Sequence, residues 1–90
     1  MKAFVKDPDA TLDYSIDWGP WLQNDIIQTS TWIVDSGISI VPASESFDDT
    51  VTTVFLTGGS ANEKYNVTNR IETQGSRTDE RSFLVRVRDR

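Results

Sequence analysis

The sequence contains no cysteine and no histidine among its 90 residues. Without cysteine the chain can form neither a disulfide bond nor a thiolate metal site. Without histidine it lacks the side chain that most often acts as a general base or binds a transition metal near neutral pH. Carboxylates, hydroxyls and two tyrosines are what remain for chemistry. These absences predict that the protein is not an enzyme and that it uses no cofactor.

Long apolar runs are also missing. No segment approaches the roughly 18 consecutive apolar residues that a membrane-spanning helix requires. Residues 1–6 are too short and too charged to form a signal peptide. We therefore expect a protein that is made in the cytoplasm, does not enter a membrane, and is used or assembled where it is made.

Basic residues are scarce in most of the chain, and the formal net charge is −5. This balance argues against non-specific nucleic-acid binding, which requires a basic surface. Residues 7–63 contain ten acidic side chains and no lysine or arginine, whereas residues 64–90 contain seven basic and four acidic ones. An acidic body with a basic C-terminal strand would suit head-to-tail or docked assembly. The alternative is an ordinary solvated surface, since folding can interleave the two segments and pair their charges locally.

What the sequence does contain is an alternation of apolar and polar residues with a period of two. Residues 12–18 alternate in this way, which is typical of a strand with one buried face. Further β-prone runs cover residues 3–6, 26–35, 38–41, 51–57, 65–71 and 83–87. Residues 43–50 are predicted to form a loop or a weak edge strand around Phe47, and residues 73–80 a hairpin loop. No segment is periodic enough for a helix of three turns.

These short strands and their turn signals predict one domain over residues 1–90. The expected fold is an all-β sandwich of the immunoglobulin or fibronectin-III type, with about seven antiparallel strands. Trp32 falls on the third strand, where such sandwiches bury a tryptophan between the sheets. Tyr65 follows a Gly-Gly corner at the start of the sixth strand, where its hydroxyl can bond to the preceding backbone. A jelly roll matches less well because it needs about eight strands.

Trp18 and Trp21 flank a Gly-Pro bend and form the most conspicuous local feature. Two indoles so close to a bend do not easily enter one small core together. One of them is therefore expected at the surface, as an interface anchor or a platform on which a sugar stacks. The alternative is that both cover the open end of the sandwich.

Arg81, Arg86, Arg88 and Arg90 concentrate positive charge in the last strand. The alternation predicts that Arg86, Arg88 and Arg90 share one face of this strand, opposite two valines. Such a row could dock on an acidic partner through bidentate contacts. The alternative is that the charges cover a solvent-exposed face or protect an edge strand from aggregation.

The acidic loops offer a weaker candidate. Asp7, Asp9, Asp13 and Asp17 carry the hard oxygen ligands that calcium prefers. Their spacing does not match a calcium-binding loop, and acidic loops are usually solvated. We therefore predict no metal site.

Three stretches of the chain resemble a known family: residues 6–14 (KDPDATLDY), 29–32 (TSTW) and 78–90 (TDERSFLVRVRDR). The family consists of small virion accessory proteins of tailed phages and prophages, described as fibre–tail adaptors or head–tail region proteins. The resemblance spans nearly the whole chain, and residues 78–90 are its most specific part. It implies a structural virion protein that is assembled in the host cytoplasm and docks in several copies on a symmetric neck or tail.

The leading hypothesis is therefore a non-catalytic adaptor in the tail or neck region that binds other virion proteins. Its candidate interface residues are Trp18, Trp21, Arg81, Arg86, Arg88 and Arg90. Self-association in the virion is a further option, whereas nucleic acid and membranes are not expected as partners. The alternative hypothesis is a carbohydrate- or receptor-binding module that stacks sugars on Trp18, Trp21 or Tyr14.

Overall fold

Strands make up most of the protein in the computed structural model, which describes residues 2–89. Within those residues the chain forms eight strands and a single-turn helix. In chain order they are β1 (Lys2–Lys6), β2 (Leu12–Asp17), α1 (Gly19–Leu22), β3 (Ile27–Val34), β4 (Ile38–Ile40), β5 (Ser46–Phe47), β6 (Val51–Gly58), β7 (Lys64–Thr73) and β8 (Thr78–Val87). Most boundaries follow the sequence signals, because Pro, Gly and Asp residues interrupt the β-prone runs. The hairpin loop predicted for residues 73–80 is shorter than expected, since β7 continues to Thr73 and β8 already begins at Thr78.

The strands form two sheets that enclose the core between them. One sheet has the order β1-β8-β7-β3, and the other has the order β2-β6-β4, with the short β5 also paired to β6. This partition of strands is that of an immunoglobulin-like sandwich, so the predicted fold class is confirmed. Residues 46–47 form the weak edge strand expected around Phe47.

One detail of the predicted sheet is wrong. The strands were expected to be antiparallel throughout, but β1 runs parallel to β8, with Lys2 opposite Phe83 and Lys6 opposite Val87. Because β8 pairs with β1 on one side and with β7 on the other, it is not the edge strand that one interpretation of its arginines required. The alternation within a strand specifies which face is buried, but it contains no information about the direction of a neighbouring strand.

The inner faces of the two sheets form the main core. Its buried members come from six of the strands and are Tyr14, Trp32, Ile38, Val54, Leu56, Tyr65, Val67, Phe83, Val85 and Val87. Trp32 is buried as predicted, with its ring centroid 6.2 Å from that of Phe83. Tyr65 also behaves as predicted, because its hydroxyl accepts a hydrogen bond of 2.8 Å from the backbone N–H of Ser60.

A second, smaller cluster closes one end of the sandwich and depends on a buried polar residue. Asn69 has no exposed surface, and its amide oxygen accepts hydrogen bonds from Trp18 Nε1 at 3.0 Å and from the Thr52 hydroxyl at 2.8 Å. Its amide nitrogen donates to Ser30 Oγ at 2.9 Å and to the Thr31 carbonyl at 3.1 Å. All four hydrogen-bonding positions of this amide are thus occupied, which is what makes its burial tolerable.

Candidate functional site

The bend after β2 positions both tryptophans. Gly19 and Pro20 interrupt the strand, since proline cannot donate to a ladder but is well suited to the first turn of a helix. The Asp17 carboxylate accepts a hydrogen bond of 2.9 Å from the Gly19 N–H, and Gln23 ends the turn in the left-handed region with φ of 48°. The resulting single turn brings Trp18 and Trp21 to the same end of the sandwich.

Trp18 lies in the core of that end. It has no exposed surface and packs with Leu22, Ile27 and Ile71. Trp21 is half-buried at the rim, and the two indole centroids are 5.6 Å apart with their planes at 70°. The tryptophans therefore cover the end of the sandwich, and the prediction of Trp18 as an interface residue is wrong. Its indole N–H finds a buried acceptor in Asn69, so this polar group does not require solvent.

Arg77 and Arg81 cover the two rings. Their guanidinium carbons lie 4.2 Å from the centroid of Trp21 and 4.3 Å from that of Trp18, respectively. Arg77 also donates to the Leu22 carbonyl at 2.7 Å. We call Trp18, Trp21, Arg77 and Arg81 the aromatic corner. Each of its arginines makes a cation–π contact within the protein, so its charge already takes part in an intramolecular interaction.

Arg81 was predicted as an interface residue but not as a member of the arginine row. Its parity along β8 is that of Phe83 and Val85, and it donates to the Asp17 carbonyl at 3.3 Å. Because side chains alternate between the faces of a strand, Arg81 and Arg86 lie on opposite faces. The structure does not bring them together.

Asp25 anchors the aromatic corner to the hairpin between β7 and β8. Its carboxylate accepts hydrogen bonds from the Gly75 N–H at 3.0 Å and from Arg77 Nε at 3.1 Å. The hydroxyl of Thr73 is the strongest influence on this group, and together these donors lower the pKa of Asp25 to about 2. Sequence reasoning missed both Asp25 and Arg77, since the contact between them joins residues that are distant in the chain.

The opposite end of β8 is different. Arg86 and Arg88 are exposed, and the valine between them is buried, as the alternation predicted. Lys64 lies directly opposite Arg86 on β7. We call Lys64, Arg86 and Arg88 the basic end. Arg90, the remaining predicted member of the row, lies outside the described residues.

A groove of about 380 Å³ runs along the basic end. Its walls are formed by Asn62, Glu63, Lys64, Arg86, Val87, Arg88 and Asp89. Over residues 2–89 no carboxylate lies within ion-pair distance of the three basic groups. By contrast, Arg70 on the same face is 3.6 Å from Glu80. The groove therefore presents cationic groups whose hydrogen-bonding capacity is available to a ligand.

Folding keeps the charge asymmetry of the sequence. The strands β2, β4, β5 and β6 contain no lysine or arginine. The strands β1, β7 and β8 of the other sheet carry Lys2, Lys6, Lys64, Arg70, Arg81 and Arg86. Lys6 is a buried exception whose ammonium donates to the Asp7 and Gly58 carbonyls, and burial lowers its pKa. The exposed positive charge thus belongs to one sheet.

Two of the aspartates considered as calcium ligands stabilise turns, whereas Asp13 lies within β2. The Asp7 carboxylate accepts from the Asp9 N–H at 2.9 Å, and that of Asp17 accepts from Gly19. In the described part of the chain, no three acidic residues come close enough to hold a metal ion together. Likewise no helix between residues 2 and 89 is long and apolar enough to cross a membrane.

Two of the three aromatic residues considered for sugar stacking have no open ring face. Trp18 is fully buried, and Tyr14 is 7% exposed with its hydroxyl inside the core. Trp21 retains exposed surface, but the Arg77 guanidinium lies over its ring. The prediction that Trp18 or Tyr14 stacks a sugar is therefore wrong, because a stacking platform needs an open aromatic face.

Two comparisons with known proteins find a match. A family model described as "Podophage GP4 fiber-tail adaptor protein gp77" matches residues 6–86. Among solved structures, the solution structure of the PKD domain from the KIAA 1837 protein aligns with a TM-score of 0.59 and 18% sequence identity. The alignment covers 98% of this chain and 79% of that chain, and at such identity it shows the immunoglobulin-like fold alone. No curated protein matches the chain.

Proposed function

The chain belongs to the podophage GP4 fiber-tail adaptor family gp77, as its sequence resemblance indicated, and on this premise we propose that it is a non-catalytic connector between virion proteins. It acts as one domain over residues 1–90, in the tail or neck region of the particle. It is made and assembled in the host cytoplasm, and its partners are proteins, not nucleic acid or membrane. A sandwich lacking histidine and cysteine suits a connecting role, which requires a rigid surface and no reactive group.

The basic end is the surface that docks on the neighbouring protein. The observation that carries this proposal is a groove lined by three cations that have no carboxylate partner within residues 2–89, on a chain whose net charge is −5. Arginine presents a planar fork that binds carboxylates through two parallel hydrogen bonds. A partner segment bearing aspartate or glutamate side chains would supply the missing acceptors. Attraction between unlike surfaces would also steer the two proteins during assembly.

The aromatic corner is less suitable for docking. Arg77 and Arg81 already donate to backbone carbonyls and lie over the indoles. A partner that recruited these arginines would have to break intramolecular contacts first, which would cost binding free energy.

The test is complementation of a phage that lacks the protein, with incorporation into purified virions measured by quantitative mass spectrometry. Arg86→Gln with Arg88→Gln is expected to lower incorporation by about tenfold or more, since each lost charge-assisted contact is worth roughly 1.5–3 kcal/mol. The matched control, Lys2→Gln with Arg70→Gln, removes the same charge from exposed positions elsewhere and should incorporate normally.

Two results would contradict this proposal in different ways. Absence of the wild-type protein from purified virions would refute the adaptor role itself. Normal incorporation of the Arg86→Gln, Arg88→Gln variant would leave the adaptor role standing but reject the basic end as the docking surface.

A further inference from the structure

The strand β3 is an edge strand without the usual protection against pairing. It pairs with β7 on one side and ends the order β1-β8-β7-β3 on the other. Its eight residues, IQTSTWIV, include no charged residue and no proline. Edge strands normally carry lysine, proline or a bulge that prevents another strand from adding. Here the single irregularity lies between Ile27 and Thr29, at the very start of the strand.

The backbone groups on the open side can be identified from the ladder. In an antiparallel pair, every second residue directs its N–H and C=O toward the partner strand. Asp35 donates to the Asn66 carbonyl, and the Thr31 carbonyl accepts from the Asn69 side chain, so the odd-numbered residues face β7. The N–H and C=O groups of Ser30, Trp32 and Val34 therefore face outward. Within residues 2–89 they take part in no backbone hydrogen bond outside the strand ladder.

Apolar side chains accompany this open edge. Ile33 is 52% exposed and Phe47 is 45% exposed, the highest values among the large apolar residues described. Ile33 lies on β3 itself, and Phe47 lies on β5, which contacts β3 from the other sheet. An uncharged strand flanked by exposed apolar groups is suited to accept another strand.

We propose that a second copy of this chain pairs its own β3 with this edge, antiparallel and about a two-fold axis. In the proposed register, Trp32 lies opposite Trp32 of the second copy, and Ser30 lies opposite Val34. The three outward-facing residues of each copy then form about six hydrogen bonds between the chains. The result is one continuous sheet through both molecules.

The edge itself favours a second copy as the occupant. Identical strands satisfy each other completely in this register, as an isologous interface requires. A shift by two residues in one direction would bring Gln28, in the irregular segment, into the pairing, and a shift in the other would bring in Ser36, beyond the strand. Each copy carries a net charge of −5, yet no charge lies on β3 to repel its counterpart.

The outer face supports the same register. Thr31 and Ile33 are exposed and point away from the core. In the proposed pair, Ile33 of one copy lies opposite Thr31 of the other, and such β-branched cross-strand pairs are favourable. The dimer would also join two basic ends in one particle, which would strengthen attachment to a multivalent partner.

The experiment measures the mass of the purified protein by sedimentation velocity, over a dilution series starting near 0.2 mM. Wild type should show a dimer of twice the chain mass of 10.1 kDa that dissociates on dilution. Thr31→Lys with Ile33→Lys places like charges opposite each other and should give a monomer throughout. Thr31→Lys with Ile33→Glu places opposite charges together in the same register and should restore the dimer.

A matched control separates the edge from general surface charge. Thr53→Lys with Phe55→Lys introduces the same two lysines, at the same spacing, on β6 in the other sheet and should leave the dimer intact. A monomeric wild type, or a dimer that survives Thr31→Lys with Ile33→Lys, would overturn the proposal. So would a dimer that the Thr31→Lys, Ile33→Glu variant fails to restore while remaining folded by circular dichroism. These readouts use the isolated protein and do not depend on the docking proposed for the basic end.

Discussion

The two ends of the sandwich use arginine in opposite ways. At the aromatic corner, Arg77 and Arg81 each lie over an indole ring and donate to a backbone carbonyl. At the basic end, Arg86 and Arg88 are exposed and have no carboxylate partner within residues 2–89. Arg81 and Arg86 lie within β8, and Arg88 directly follows it. Position in the chain alone therefore does not distinguish an arginine that packs on an indole from one that is exposed.

The difference comes from the face of the strand on which each arginine lies. Arg81 shares its face with the buried Phe83 and Val85, whereas Arg86 lies on the outer face opposite Lys64. Arg81 contributes to stability, because its aliphatic stem packs against the protein and its guanidinium contacts the Trp18 ring and the Asp17 carbonyl. Arg86 lies on the outer face and has no carboxylate partner within residues 2–89, so its donors are not used within the fold. Substitutions at the two ends should therefore affect different measurements.

The largest effect is expected from Trp18→Ala. Removing a fully buried indole should lower the free energy of unfolding by about 4 kcal/mol, from the lost burial and the cavity left behind. The substitution also removes one donor to Asn69. Trp21→Ala, at the half-buried rim, should cost about half as much. Urea denaturation measures both, and equal losses would show that Trp18 is not more deeply integrated than Trp21.

A smaller effect tests the two kinds of arginine directly. Arg77→Gln removes a cation–π contact and the hydrogen bonds to the Leu22 carbonyl and the Asp25 carboxylate, so it should lower the free energy of unfolding by about 1 kcal/mol. Arg86→Gln removes the same charge from an exposed site and should change it by less than about 0.5 kcal/mol. Thermal unfolding of the two variants under identical conditions is the measurement. A greater loss for Arg86→Gln would contradict the proposed division of roles.

The smallest effect concerns acid stability. The folded-state pKa of Asp25 is lowered to about 2 from 3.8, mainly by the Thr73 hydroxyl, so its contribution is fully present above the unfolded value and is lost as pH falls toward 2. Asp25→Asn should remove this part of the pH dependence, leaving a shallower loss of stability between pH 4 and pH 2. Urea midpoints of wild type and variant across that range provide the comparison. Parallel curves would show that Asp25 does not couple the aromatic corner to pH.

Much of the fold follows from local pattern. The period of two in residues 12–18 and in the later runs predicts strands with one buried face, and the structure places them in a two-layer sandwich. The burial of Trp32 was predicted correctly because it depends on the place of its strand in the strand order. The hydrogen bond of the Tyr65 hydroxyl was predicted correctly because its partner lies in the corner just before it in the chain. Asn69 shares the inward face of β7 with Val67 and Ile71, as the alternation indicates, but the pattern does not identify Trp18 and Thr52 as the donors to its buried amide oxygen.

The candidate site was predictable only in part. Alternation alone placed Arg86 and Arg88 on an exposed face, and this interpretation agrees with the structure. The same alternation puts Arg81 on the inward face of β8, but it does not identify the Trp18 ring and the Asp17 carbonyl that Arg81 contacts. Lys64 joined the basic end through the register between β7 and β8. The spacing of residues along one strand cannot specify which residue of another strand lies opposite.

The sequence by itself determined the class of secondary structure, the buried face of most strands and the absence of histidine and cysteine chemistry. The strand β1 is an exception, since Lys6 is buried and Val5 is exposed. These properties depend on residue type and on near neighbours in the chain. Tertiary structure decided that β1 runs parallel to β8, that Trp18 lies inside, and that β3 ends its sheet. The indole of Trp18 meets its acceptor on Asn69 across 51 positions of sequence. Contacts of that range form only when both sheets assemble, because the burial and hydrogen bonding that stabilise them require atoms from both.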